Sequence, residues 1–254
     1  MGLKDSKDQS ILIIGATSEI GSHIAKTLSG NKTQLTLVGR DKNKLDELQS
    51  TLNENYLKTI SIDYLKTKKD YENLFTSEEF DGVVLLTPRP GSNKNSTPDR
   101  KEWEDLFNNC FIGPLDILRQ AIDHLKPLSK ILIISGITSK QYYPALPQYA
   151  VIRSMWLAEA KALSIQLGAK KISVNTLSLG GVWADALTKK IEAESKTSNK
   201  SVEEIRKDRI SNIPLSDYAD LSEISYAVNQ LLGDFANHIS GQNIALDGGF
   251  TSSY

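Results

Sequence analysis

The run Ile11-Leu12-Ile13-Ile14-Gly15-Ala16-Thr17-Ser18-Glu19-Ile20-Gly21 carries the first chemical signal in the chain. A β-branched apolar run that stops at glycine reads as a buried parallel strand entering a tight turn, and Ile20, Ile24, Ala25 and Leu28 recur behind it at helical spacing. Gly15 suits the turn and Gly21 lets helix and strand pack closely. The N–H groups and dipole of a helix that opens there favour an anion, typically a pyrophosphate. Two glycines at such a turn also meet steric need alone, so their meaning depends on the other strand ends. Arg40 stands just past the run Gln34–Val38, where an acidic residue would grip a ribose 2′-hydroxyl. A guanidinium there suits a 2′-phosphate and points to NADP(H) over NAD(H). Asp41 reads as the cap of the helix that follows. The alternative for Arg40 is a solvated surface charge.

Other chemistries find little support. His23, His124 and His238 lie in unrelated segments without ligand spacing, so no metal site is expected. No glycine loop ends in Lys-Ser or Lys-Thr, which argues against a triphosphate-binding loop. The single cysteine, Cys110, reads as a small buried apolar side chain; it rules out an intrachain disulfide and fits a reducing, cytoplasmic setting. A net charge of −1 with 24% charged residues gives no basic surface for nucleic acid. The apolar runs are too short to span a membrane, and no signal-peptide pattern opens the chain. Met1–Ser6 matches an acylation pattern only formally, and the triplets at Asn31, Asn95 and Asn199 carry no weight in a chain that is not secreted.

The elements that must position these residues alternate. Strand signals lie at Ile11–Ile14, Gln34–Val38, Thr59–Ile62, Gly82–Leu86, Lys130–Ile134, Ile172–Leu177 and Asn243–Leu246. Helices are expected over 41–52, 66–75, about 98–126, about 147–167 and 222–232, with a charged, weakly helical stretch over 184–212. The segment Thr87–Asp99, with Pro88, Pro90, Gly91 and Pro98, reads as a loop. Repeated βα units with apolar strands predict an α/β fold: one doubly wound parallel sheet of Rossmann type, helices on both faces, one domain over 1–254. Ligands bind such a sheet beyond the carboxyl ends of its strands. The loops there contain Ser18, Arg40, Asp63, Arg89, Ser135 and Gly180.

From about Gln9 to Gly249 the chain resembles the short-chain dehydrogenase/reductase family, close to the 3-oxoacyl-(acyl-carrier-protein) reductase type. The likeness rests on the turn Gly15–Gly21, on Ile60-Ser61-Ile62-Asp63, on Gln148-Tyr149-Ala150-Val151-Ile152-Arg153-Ser154, on Ala160–Val174, on Ile213-Pro214-Leu215 and on the ending Ile239–Gly249. It implies a Tyr–Lys pair assisted by Ser and Asn, the tyrosine protonating a carbonyl oxygen while hydride arrives from a nicotinamide. Tyr149 matches the tyrosine. The lysine position is Arg153, the serine falls on Gly136 with Ser135 beside it, and the helix asparagine falls on Cys110 with Asn109 adjacent. Leu85-Leu86-Thr87-Pro88 replaces Asn-Asn-Ala-Gly, Glu19 stands for the middle glycine of the first turn, and Leu179-Gly180 replaces Pro-Gly.

By this resemblance Gly15, Thr17, Ser18, Ile20, Gly21, Arg40, Asp63, Thr87, Tyr149, Arg153, Gly180 and Val182 hold the cofactor, and Tyr149, Arg153 and Ser135 act on the carbonyl. Arg153 keeps a positive charge near Tyr149 and can bond to ribose, but a guanidinium has no acceptor and cannot relay a proton. Ser135, Thr138 or Ser139 could supply the missing hydroxyl. Arg89, stiffened by its flanking prolines, could bind an anionic substrate group or polarise the carbonyl; otherwise it is a loop charge facing water. The stretch 184–212 stands where the family carries a substrate lid, with Trp183 and Leu187 as apolar contacts; otherwise it is a surface excursion or subunit contact. The resemblance further implies an oligomer, a tetramer, built on the two long helices. Two readings of function follow: NADP(H)-dependent reduction of a small-molecule or acyl-thioester carbonyl, or a degenerate member that binds nucleotide or a partner without redox turnover. A non-redox reaction at Tyr149 is a third.

Overall fold

A computed structural model describes residues 9–30, 33–52, 57–63, 73–91 and 95–253. Its apolar runs become β1 (Ser10–Ile14), β2 (Gln34–Gly39), β3 (Leu57–Ser61), β4 (Phe80–Leu86), β5 (Leu125–Gly136), β6 (Ser173–Leu179) and β7 (Asn243–Leu246). They form one parallel seven-stranded sheet in the order β3-β2-β1-β4-β5-β6-β7. The order turns back between β1 and β4, which opens a crevice beyond their carboxyl ends.

Side-chain alternation divides the core in two. Leu12, Ile14, Val83, Leu85, Ile131 and Ile133 pack on one face with Leu115 and Leu118 of α4 (Gly113–Ile122) and with Ile152, Trp156 and Leu163 of α5 (Pro147–Gln166). On the other face Ile11, Ile13, Leu35, Leu37, Val84 and Leu132 meet α1 (Glu19–Ser29), α2 (Lys42–Ser50) and α8 (Leu221–Leu232). Burying one such Leu or Ile contributes about 1.5–3 kcal/mol. A sheet apolar on both faces must therefore be covered on both, and the doubly wound arrangement follows. Asp41 caps α2 as expected, its side chain accepting from the Lys44 N–H.

The expected helix over 98–126 is divided. α3 (Arg100–Phe107) passes into a π-helical turn, Asn108–Ile112, before α4 begins. Pro114 supplies the reason. It has no N–H, so the carbonyl of Cys110, four residues back, has no α-helical donor, and the ladder widens. Pro127 then stops a helix from reaching Lys126, and β5 begins at Leu125 rather than Lys130. Its first half pairs irregularly, with a register shift against Phe80 and Gly82 and a positive φ of 70° at Leu128. The stretch 184–212 is more regular than its composition indicated: α6 (Asp185–Thr197) and α7 (Val202–Ile210) bury Ile191 and Ile205, and Glu194 meets Arg209 at 2.5 Å. The helix expected over 66–75 lies mostly outside the described residues, as do Met1–Ser6 and Asn31.

Candidate active site

The loops beyond the carboxyl ends of β1, β2, β3, β4, β5 and β6 carry the candidate residues, with Tyr149 and Arg153 on the helix that follows β5. At the β1 end Gly15 has φ 87°, the left-handed region that favours glycine, and its N–H donates to the Val38 carbonyl at 2.9 Å. A side chain on Gly21 would meet the Gly15 carbonyl at 2.5 Å, so the helix could not close onto the strand with any other residue there. Ser18 caps α1 by accepting from the Gly21 N–H, and Ile20 packs on the core. Thr17, Arg40, Lys42, Asn43, Lys44 and Asp63 line an open cavity of about 560 Å³. Arg40, Lys42 and Lys44 bring three cations to it, beside the first turn of α2, and Asp41 and Asp63 bring two carboxylates. Sequence reasoning found Arg40 and Asp63 but not Lys42, Asn43 or Lys44, which owe their place to the helix start that Asp41 fixes.

One residue of the glycine turn acts elsewhere. The Glu19 carboxylate accepts from the N–H groups of Asp185 and of Ala186, the latter at 3.4 Å. It therefore caps α6, whose own N-cap residue, Ala184, has no acceptor. No local sequence signal could reveal a bond between positions so far apart in the chain.

At the β4 end the Thr87 N–H and Oγ1 both donate to the Ile134 carbonyl, at 3.0 and 2.9 Å. Arg89 follows on the exposed side of that loop, close enough for its charge to act on Arg153. At the β5 end the structure brings Tyr149 and Arg153 together, one helical turn apart on α5, with the guanidinium carbon 5.0 Å from the ring centre. Burial pulls the Arg153 guanidinium down to about 10; Tyr149 opposes this and Arg89 adds to it.

Nη1 of Arg153 donates to Thr138 Oγ1 at 2.8 Å. Gly136 lies directly beneath: a Cβ there would sit 2.4 Å from the guanidinium carbon. Ser135 is buried and its hydroxyl has no hydrogen-bond partner, so of the candidate hydroxyls it is Thr138 that engages the arginine. Ser139 turns instead to Ser178 at 3.2 Å.

Cys110 is buried, and burial pushes its thiol up to about 11 against the lowering influence of Arg40. Its carbonyl, freed by Pro114, accepts from the Trp156 indole at 2.8 Å. The π turn is thereby fastened to α5 one turn below Arg153. Trp183 is held rather than free. Its indole donates to Asp217 at 2.6 Å, Arg206 stands 4.3 Å over its ring, and Tyr218 packs beside it. Val182 pairs with Ala219, and Gly180 lies so close to Asp247 that a Cβ would be 2.8 Å from its Cα. Among the described residues there is no cluster of His, Cys, Asp or Glu that could hold a metal ion and no helix long and apolar enough to cross a membrane.

A family model described as enoyl-(acyl carrier protein) reductase matches residues 15–251. The chain belongs to the short-chain dehydrogenase/reductase family. That family is one of oxidoreductases, and the chain is similar to 3-oxoacyl-(acyl-carrier-protein) reductases within it. That of Rickettsia prowazekii is 26% identical over 250 residues, covering 96% of this chain and 98% of the relative. The fold matches L-sorbose reductase of Gluconobacter frateurii, solved with NADPH and L-sorbose, at a TM-score of 0.88, 17% identity and 98% coverage of both chains. It also matches a short-chain oxidoreductase of Pseudomonas aeruginosa described as containing an atypical catalytic center, at a TM-score of 0.84, 16% identity and coverage of 99% and 100%.

Proposed function

We propose that this protein is an NADP(H)-dependent carbonyl reductase acting on a small molecule or a 3-oxoacyl thioester. The observation that carries the reading is the pairing of Tyr149 with the Arg153 cation at the strand ends, on the same crest as the Arg40 cavity. The residues fit a phosphorylated dinucleotide: Gly15 and Gly21 allow close approach of a pyrophosphate, while Arg40 with Lys42 and Lys44 suits a 2′-phosphate over a bare ribose. Bound NADPH supplies the hydride. Tyr149 donates its proton to the carbonyl oxygen as charge develops there, and Arg153 holds the ribose and the phenol in register. Because the guanidinium keeps its proton, water must return the one that Tyr149 gives up. Arg89, near Arg153, favours a substrate with an anionic group.

α6 and α7 form a cover over the crest, anchored through Trp183 and Glu19, that excludes water during reaction. Ile112, Val151 and Ile165, exposed on the long-helix side, support assembly through those helices into a tetramer, which light scattering would test. The lone buried thiol suits a reducing cytoplasm.

Calorimetric titration tests the cofactor. NADPH should bind at least tenfold more tightly than NADH, and Arg40→Ala should erase the difference, as expected for losing one charge-assisted phosphate contact of about 1.5–3 kcal/mol. Binding of both nucleotides with equal affinity would overturn the NADP(H) assignment. Binding without turnover across a panel of aldehydes, ketones and 3-oxoacyl thioesters would favour the non-redox reading.

A further inference from the structure

We propose that Arg153 does the work of the missing serine as well as that of the missing lysine, in room that Gly136 provides and with Thr138 aiming it. The proposal rests on the carbonyl-reductase reading.

A Cβ at position 136 would lie 2.4 Å from Cζ and Nη1 of Arg153 and 2.7 Å from Nη2. The guanidinium therefore occupies the volume that a side chain at 136 would fill. A serine at 136 would displace the guanidinium from this place, so we read the two departures as one exchange: the strand end gives up its side chain and the helix reaches across to replace it. The exchange conserves function because a guanidinium carries five N–H donors in a planar fork, where serine carries one and lysine three. One donor of Nη1 goes to Thr138 Oγ1 at 2.8 Å, which fixes the plane of the fork. The same cation lies 5.0 Å from the Tyr149 ring. It thus lies between the end of β5 and the Tyr149 ring, beside the group that would protonate a carbonyl oxygen, where a second donor to that oxygen is needed. Ser135, whose hydroxyl is buried and unpartnered, takes no part in this arrangement.

The chemistry balances with a reduced nicotinamide as the named reductant. Hydride adds to the carbonyl carbon, the π pair of the C=O moves onto oxygen, and that oxygen takes the Tyr149 proton. The products are an alcohol, oxidised nicotinamide and a phenolate that Arg153 holds by charge until water reprotonates it. Arg153 meets both negative oxygens, first the one on substrate and then the one on tyrosine.

A counterintuitive consequence tests the idea. Gly136→Ser, which installs the family's serine, should damage the enzyme because it evicts the guanidinium. The experiment is a cycle of native protein, Gly136→Ser, Arg153→Lys and the double variant, assayed with NADPH over a panel of aldehydes, ketones and acetoacetyl-N-acetylcysteamine. Each single variant should lose about 10²-fold in kcat, the usual cost of an oxyanion donor. The double variant should recover at least about tenfold over either. Thr138→Val should lower kcat with KM for NADPH unchanged, and Thr138→Ser should restore it. A Gly136→Ser protein as active as native, or losses that simply multiply, would overturn the proposal.

Melting the cofactor-free proteins reads the same cycle without chemistry. Non-additive shifts support the exchange of volume, and additive shifts overturn it. If native protein turns over and the kcat cycle is multiplicative, this proposal alone fails. If neither native nor double variant turns over any carbonyl, the carbonyl-reductase reading fails and takes the catalytic part of this proposal with it, while the melting cycle still decides the pairing.

Discussion

The two ends of the sheet crest solve their problems differently. At the β1–β2 end the shape is set by backbone: Gly15 at φ 87°, Gly21 pressed on the Gly15 carbonyl, and the first turn of α2 beside the cavity. At the β5–α5 end the shape is set by side chains that touch through space: Arg153 on Thr138 and over Gly136, Trp156 on the Cys110 carbonyl. Backbone sites tolerate few changes where a glycine sits at positive φ, as at 15, or in direct backbone contact, as at 21. Side-chain sites can be rebuilt, provided that neighbours change together. By the family resemblance, the first end keeps Gly15 and Gly21 but carries Glu19 for its middle glycine, and the second departs at 110, 136 and 153.

Breaking the side-chain end should produce the largest effects. Tyr149→Phe is expected to lower turnover by about 10²–10⁴-fold, the contribution of a positioned general acid, with NADPH affinity within about twofold of native by calorimetry. A loss of affinity as large as the loss of turnover would make Tyr149 a binding residue and blur the contrast between the ends. Trp156→Ala removes a fully buried indole and the hydrogen bond it gives the Cys110 carbonyl, so urea unfolding should show a loss of about 3–5 kcal/mol. A change under about 1 kcal/mol would mean that the π turn stands without α5.

Smaller effects sharpen the comparison. Glu19→Ala should leave the glycine turn folded yet speed amide exchange at Asp185 and Ala186 by about tenfold, consistent with losing one helix cap of about 0.5–2 kcal/mol. Unchanged exchange would mean that the Gly15–Gly21 turn does not hold the start of α6. The smallest expected effect is none: Cys110, 3% exposed and with its thiol pushed up to about 11, should resist a thiol reagent at about pH 8 until the protein unfolds. The same shift has a sign for stability. Unfolding frees a thiol that ionises near 8.5, so the contribution is intact below that pH and is lost as pH rises toward about 11.

The same contrast explains what was legible in the chain. The strand-to-helix turn at Gly15, the cap at Asp41 and the alternating apolar strands are written locally, and the fold follows from them. Tyr149 and Arg153 are also local, one turn apart on one helix. The role of Gly136 is not, because a glycine in a sequence gives no hint of which distant side chain fills its space. Glu19 is similar: its partners on α6 are more than 160 positions away. Pro114 did carry a signal for the break in the long helix, since a proline inside helical spacing removes a donor.

The central claim is that the rebuilt end still transfers hydride to a carbonyl under Tyr149. The most direct test is a single-turnover reaction of native protein with NADPH deuterated at the transferring position and a pool of aldehydes, ketones and 3-oxoacyl thioesters, read by mass spectrometry. At least one alcohol product heavier by one deuterium is expected, absent with Tyr149→Phe. Tight NADPH binding with no deuterium in any product would contradict it.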